Sequence, residues 1–328
     1  MFFYAKNCLV GGGKCAKLTI YLLGKIKFKV GDRLKIAILG ASGMLGKALV
    51  KELSPHYEVT GFKHSDLDVT DSMALFTKLN ILMPDLIINA AAIVNLAVCE
   101  KNPSLGYLVN TRAQSLVTEF ARGQGVRCIY ISTDHYYTGD RQKLHTESDS
   151  IRLVNEYART KYLGECAALA YSRSLVLRTN IIGFRGDKAR PTFAEWAIKS
   201  LLTKEKLTLF TDFYTSPLTA RQLACLVHKA IAANLSGLYN AAGNFAVSKA
   251  EFILQLANKL AVKPVFNEGS VKAFTGIRRA ESLGLDSSAI AAALNIKMPT
   301  LDEVLAALMA EYIDERSVNL ALRAGDFH

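Results

Sequence analysis

Three glycines spaced by three residues constrain this chain more than any other feature. They are Gly40, Gly43 and Gly46, in the stretch KIAILGASGMLGKAL at 35–49. An apolar run precedes them and a helix-like pattern follows. Where a strand turns into a helix, the first helical N–H groups have no intrahelical partners, and together with the helix dipole they favour an anion. Gly40 suits the tight turn, Gly43 lets a pyrophosphate approach the backbone, and Gly46 lets helix and strand pack closely. The spacing G-x-x-G-x-x-G departs from the G-x-G-x-x-G dinucleotide fingerprint, so the triplet alone also fits a glycine-rich turn without a ligand. Strand, triplet and helix in register point to nucleotide binding.

The rhythm around the triplet sets the fold class. Short Ile- and Val-rich runs recur at 35–39, 58–62, 85–89, 126–132 and 174–178, with helix-period segments near 44–53, 71–80, 104–122 and 155–172. Near-continuous apolar strands alternating with helices predict an α/β fold: a doubly wound parallel sheet buried on both faces. After residue 183 helix-like stretches dominate (193–203, 219–233, 249–261, 287–294, 300–312), with short strands near 207–210 and 237–241. The expected organisation is a nucleotide-binding domain over 35–183 and a smaller, mostly helical substrate-binding region over 184–328, partly interleaved with the sheet.

Residues 1–34 stand apart. They hold seven Lys or Arg and one acid, which is more than half of the chain's net charge of +11. The segment lacks the h-region and cleavage site of a secretory signal. Its KIKFKV stretch alternates as an amphipathic strand would. The expectation for this arm is a start-site artefact, with translation beginning at Leu34. No aromatic stacking platform accompanies the basic residues, so a nucleic-acid partner is not expected. No run approaches the ~20 apolar residues of a membrane helix. Six scattered cysteines without CxxC spacing read as reduced thiols of a cytoplasmic protein. His64, His135 and His145 lack metal-ligand spacing, so no metal is expected. Glu147 and Asp149 read as loop caps, and Trp196 reads as packing.

Two further motifs carry chemistry. The strand at 58–62 ends GFKHSD, with Lys63 and His64 at its tip and no acid to hold a ribose 2′-hydroxyl. A cation there suits a 2′-phosphate, which favours NADPH with NADH as the second choice; a plain solvated lysine fits nearly as well. NEYARTKYLGE places Tyr157 and Lys161 four residues apart, on one helical face. A neighbouring ammonium favours phenolate and brings tyrosine towards acid–base work at neutral pH. Upstream, CIYISTDHYYTG ends a strand pattern in Ser132, Thr133 and Asp134, where open α/β sheets place ligands.

In this order, GASGMLG, LDVTD, NAAA, STD, YxxxK and SPLT resemble the extended short-chain dehydrogenases/reductases, and more narrowly the sugar-nucleotide reductases of the dTDP-4-dehydrorhamnose reductase type. The resemblance covers about 35–294. It implies a Rossmann fold in which Gly40, Gly43, Met44, Leu45 and Gly46 line the pyrophosphate. Asp68 and Val69 would flank the adenine, with Ala91 and Ala92 beside the cofactor. It also implies Tyr157 as proton donor, Lys161 as ribose ligand and tuner of Tyr157, and Thr133 as hydroxyl partner. Asp134 and His135 would line the sugar pocket, and Arg279 would meet a diphosphate with its planar fork. The implied reaction is NADPH-dependent reduction of a 4-keto sugar nucleotide, as in deoxysugar and cell-surface polysaccharide biosynthesis; relatives are often homodimers. The chain departs from the pattern at His135, Tyr136, Tyr137, Ile181 and Ala280, all near the expected sugar pocket. The other readings are a sugar-nucleotide epimerase and a non-catalytic NADP-binding regulatory subunit resembling the β-subunit of methionine adenosyltransferase.

Overall fold

A computed structural model describes residues 19–22, 26–29, 33–187, 189–273 and 275–325. Its centre is a six-stranded, all-parallel sheet made of β1 (Lys35–Leu39), β2 (Glu58–Phe62), β3 (Leu86–Asn89), β4 (Arg127–Ile131), β5 (Ser174–Thr179) and β6 (Gly237–Ala241), in the order β2-β1-β3-β4-β5-β6. The crossover helices are α1 (Met44–Leu53), α2 (Ser72–Leu82), α3 (Ala113–Gln124), α4 (Glu156–Leu169) and α5 (Ala220–Ala232). Strand order reverses between β1 and β3, and the carboxyl ends of the strands at such a switch point form the ligand crevice of open α/β sheets. β3 and β5 are buried along their whole length, so their apolar runs are continuous rather than alternating. One face of the sheet packs Ile36, Ile38, Ile88 and Leu177 against α1 and α5; the other packs Ala37, Leu39 and Ile87 against α2 and α3.

The expected strands and helices up to residue 183 are all present, with one difference of detail. The helix expected over 104–122 is a longer, broken element. It consists of Leu96–Lys101, Pro103–Tyr107, a π-helical turn at Leu108–Arg112, and α3. The π turn exposes backbone groups to tertiary partners, since Tyr130 Oη donates to Asn110 O at 2.9 Å. The strand near 237–241 is not a satellite of the C-terminal region. As β6 it pairs parallel with β5 and forms the sheet's edge. The last helix, expected over 300–312, runs Leu301–Gly325. KIKFKV contributes the strand Ile26–Lys29, paired antiparallel with Thr19–Leu22. The rest of the expectation for the basic arm lies outside the described residues. Among the described residues no helix is long and apolar enough to cross a membrane, and no group of side chains is arranged to hold a metal ion.

The glycine turn sits at the switch point. Gly40 has φ +79°, and a Cβ there would lie 2.8 Å from the Ala91 backbone, so the loop touches the end of β3. Gly40 and Ala41 both donate to Phe62 O at 3.0 Å, which ties the turn to the end of β2. A Cβ at Gly46 would collide with Gly40 O and Ala41 Cα. Gly46→Ala should therefore destabilise the fold by about 1–3 kcal/mol through overpacking. Gly123 in α3 is exposed and has open space around it. Gly123→Ala should stabilise by about 0.5–1 kcal/mol through helix propensity. Urea denaturation of both variants checks the contrast; equal effects would contradict this account of the turn.

Candidate active site

The first turn of α1 has Gly43 as N-cap, no side-chain cap and no acid. The Gly43 N–H donates to Gly40 O at 3.0 Å, and the first-turn N–H groups of Met44, Leu45 and Gly46 have no side-chain cap. Gly43 differs from its two neighbours in the triplet. Its φ of −69° is one any residue adopts, and a Cβ would meet only Gly40 O, at 3.3 Å. Packing and conformation explain Gly40 and Gly46, whereas neither demands a glycine at Gly43. Lys63 is exposed directly beyond Phe62, and its N–H donates to Asp66 Oδ2 at 3.0 Å. Asp68 accepts from the Thr70 N–H and hydroxyl at 2.9 and 2.8 Å, bonds that hold its carboxyl below the usual range. Val69 is buried with Phe62 and Leu67. Ala91 N–H donates to Asn89 Oδ1 at 3.1 Å, fixing the bend that carries Ala91 and Ala92 over the end of β3.

Tyr157, Lys161 and Thr133 come together at the end of β4. Asn155 caps α4, its Oδ1 accepting from Ala158 N at 2.8 Å, which sets Tyr157 and Lys161 one turn apart on the buried face. The Thr133 hydroxyl lies near the Tyr157 phenol, while its own hydrogen bonds run to Asp134 Oδ1 at 3.4 Å and from His135 N at 3.3 Å. Burial raises the Tyr157 phenol above its ordinary range, and the nearby Thr133 hydroxyl opposes that rise. Lys161 differs from expectation in where its ammonium points. It donates to Ile131 O at 2.6 Å and lies 4.1 Å over the Tyr130 ring. Its charge is not among the influences on Tyr157. Burial pulls it down to about 7, with Glu165 opposing.

Beneath these groups lies a buried ion pair. Arg178 Nη2 donates to Glu165 Oε1 at 2.6 Å and Arg178 Nε to Glu165 Oε2 at 3.1 Å. Glu165 Oε2 also accepts from Ser132 Oγ at 2.9 Å, and Arg178 Nη1 donates to Tyr137 Oη at 2.9 Å.

The pocket beside Thr133 is desolvated and polar. Asp134 is 1% exposed and accepts from Asn180 Nδ2 at 2.7 Å. Burial pushes its carboxyl up to about 7 against that bond. The His135 ring stands edge-on to Tyr157 with centroids 5.3 Å apart. Its Nδ1 is buried without a hydrogen-bond partner. Burial and the nearby cations Lys249 and Arg279 drive His135 down to about 3, which leaves it neutral. Asn155 Nδ2 donates to Arg278 O at 3.0 Å, and so fixes Arg279 near the start of α4. The loop acids behave as caps: Glu147 accepts from Asn240 N at 2.7 Å and Asp149 from Thr146 N at 3.1 Å. Trp196 packs at a tilt on Phe193 and remains 39% exposed.

Sequence reasoning missed Asn110, Asn180 and Lys249. Asn110 sits in the π turn and bonds Ile93 and Thr160, and a π turn leaves no pattern in sequence. Asn180 follows the strand that Arg178 and Thr179 end, a position that could have flagged it. Lys249 looks like a solvated lysine behind the Ser248 cap.

Residues 34–313 match the family described as the RmlD substrate binding domain. A probable low-salt glycan biosynthesis reductase, Agl14, of Haloferax volcanii is 29% identical over 296 residues, covering 85% of this chain and 99% of the relative. The dTDP-4-dehydrorhamnose reductase of Escherichia coli K12 is 27% identical over 221 residues, 63% of this chain and 72% of its own. The crystal structure of dTDP-4-dehydrorhamnose reductase from Bacillus anthracis in complex with NADP superposes with a TM-score of 0.79 at 25% identity, covering 85% of this chain and 99% of that one.

The depressed Lys161 has a consequence for stability. The unfolded chain keeps a lysine proton up to its ordinary pKa of about 10.4, whereas the folded chain gives it up above about 7. Between these values the unfolded state binds more protons, so stability rises with pH. Relative to Lys161→Met, the wild type should gain stability from about pH 7 to about pH 10. Urea midpoints across that window test this, and parallel pH profiles for the two proteins would contradict it.

Proposed function

The chain belongs to the RmlD substrate binding domain family, and on that premise we propose that it reduces a 4-keto sugar nucleotide with NADPH. It is an NAD(P)H-dependent oxidoreductase like the dTDP-4-dehydrorhamnose reductases it resembles. The observation that carries the finer reading is the burial of Thr133, Tyr157 and Lys161 together, with the Lys161 ammonium on Ile131 O at the carboxyl end of β4, the sheet edge that also carries the uncapped N-terminus of α1.

The residues present fit a dinucleotide. The first-turn N–H groups of Met44, Leu45 and Gly46, which have no side-chain cap, suit its pyrophosphate, with Gly43 letting it approach the backbone. Lys63 at the tip of β2 suits a 2′-phosphate, while Asp68, Val69, Ala91 and Ala92 border the same crevice. When bound, the reduced nicotinamide supplies the hydride. The chain's part is to hold the ketone and deliver a proton. Thr133 and Tyr157 present two hydroxyls to the carbonyl oxygen, and Tyr157 gives its proton to that oxygen as it gains charge. Lys161 holds the nicotinamide ribose. In the ternary complex its ammonium also stabilises the phenolate left on Tyr157, which burial alone would disfavour. Asp134 and His135 line the sugar side and Arg279 meets the diphosphate. In this reading 35–183 binds the cofactor and 184–328 closes over the substrate.

The test is NADPH oxidation against a panel of 4-keto nucleotide sugars. Tyr157→Phe keeps the ring and its packing but removes the transferable proton. It should lower kcat about 10²–10⁴-fold and leave NADPH affinity nearly unchanged. Wild-type turnover in that variant would move the proton donor elsewhere, and a neutral His135 would not replace it. A protein that binds NADPH but reduces nothing in the panel would be a binding subunit instead.

Lys63→Asp places an acid where a ribose 2′-hydroxyl would lie and a 2′-phosphate would be repelled. The NADPH/NADH ratio of kcat/KM should move towards NADH by tenfold or so, one charge contact being worth about 1.4 kcal/mol. An unmoved ratio would make Lys63 a solvated lysine only.

A further inference from the structure

Lys249 opens the helix Lys249–Lys259, just behind the Ser248 cap. A cation in the first turn faces the positive end of the helix dipole. Its ammonium stands 4.3 Å from the centroid of the Phe193 ring and 4.6 Å from that of Phe213, and its own N–H donates to Phe213 O at 2.8 Å. These contacts fix where the charge sits. Among the described residues no hydrogen bond or carboxylate contact within 4 Å engages the ammonium. Phe213, beneath the ammonium, packs in one cluster with Ala280, the residue after Arg279; Asp134 attracts the ammonium from further away, and Arg279 repels it. Asp134 accepts its closest hydrogen bond from Asn180 Nδ2, and burial lowers the lysine to about 8. Both cations, Lys249 and Arg279, bear on His135, whose ring meets Tyr157 and whose buried Nδ1 has no partner.

Folding alone gives little reason for this arrangement. The helix dipole, the like charge of Arg279 and the loss of water all oppose it, and two aromatic faces offset them only in part. An anion between the two cations would reverse the balance. Resting on the sugar-nucleotide reading, we infer that Lys249 is a substrate-binding residue that forms, with Arg279, a two-cation clamp for the diphosphate joining nucleoside to sugar. Two unit charges match a diphosphate, and the clamp lies on the His135 side of Tyr157. Lys249 is also a specificity residue in this arrangement, because it selects for sugars that carry the diphosphate.

The test is calorimetric titration of the full chain with UDP, dTDP, GDP and CDP, and with NADPH as control. Lys249→Met should weaken binding of whichever diphosphate the wild type takes by at least about tenfold, the worth of one charge-assisted contact. It should leave NADPH affinity within about twofold on the same scale, and it should not lower Tm, because it removes a desolvated charge from a dipole's wrong end. Lys249→Arg should retain most of the diphosphate affinity. On an accepted ketone, Lys249→Met should raise KM far more than it lowers kcat. Unchanged diphosphate binding and KM in Lys249→Met would overturn the clamp, as would a wild type that binds none of the four diphosphates. The reductase reading fails separately: a chain that binds a diphosphate through Lys249 but reduces no ketone keeps the clamp and loses that reading.

Discussion

The geometry of the site depends on one buried ion pair, Arg178 with Glu165. Arg178 lies on β5 and Glu165 on α4, and the pair's remaining bonds go to Ser132 and Tyr137 in the segment after β4. Strand, helix and loop thus meet at one bidentate contact on either side of which Thr133 and Tyr157 are carried. Such a pair offers little net stability over a well-packed apolar substitute. Removing one partner, however, strands a charge in the core at a cost of about 3–5 kcal/mol. Its directionality accounts for its place here: an apolar contact at the same spot could slide, whereas a guanidinium fork fixes both helix and loop.

Above this anchor the site is buried, and desolvation is the largest influence on Asp134, His135, Tyr157, Lys161 and Lys249. It raises Asp134 to about 7, lowers Lys161 to about 7, Lys249 to about 8 and His135 to about 3, and raises Tyr157. Each group is held close to its neutral form. Charged ligands entering such a pocket restore the ionised forms of the lysines, and the same low dielectric then makes their interactions strong. The chain alone leaves Lys161 turned towards Ile131 O and Tyr157 reluctant to ionise. The proposed chemistry therefore requires the cofactor and substrate to complete the electrostatics, which couples turnover to binding of both.

Much of this was legible in the sequence, for definable reasons. β1, β3, β4 and β5 are buried on both faces, so their apolar runs stand out against the helices between them. Gly40 and Gly46 were readable because close packing at a strand–helix turn demands glycine whatever the ligand. Tyr157 and Lys161 were readable because four residues make one helical turn. The missed features involve contacts between distant segments. The π turn at 108–112 has no periodic signature, and the pairing of β6 with β5, some sixty residues earlier, leaves no local pattern either. Lys249 carried only a faint signal, a lysine at the wrong end of a helix. Where the Lys161 ammonium points depends on the Ile131 carbonyl and the Tyr130 face, which periodicity does not encode.

The central claim is that this crevice transfers hydride to a sugar carbonyl while the chain supplies the proton. It is tested most directly with NADPH deuterated at the transferable position of its nicotinamide, incubated with an accepted 4-keto sugar nucleotide, followed by NMR of the product. The account predicts one deuterium at C4 of the sugar, in a single configuration, for each NADPH consumed. A product without deuterium at C4, or a sugar converted with no NADPH consumed, would contradict it.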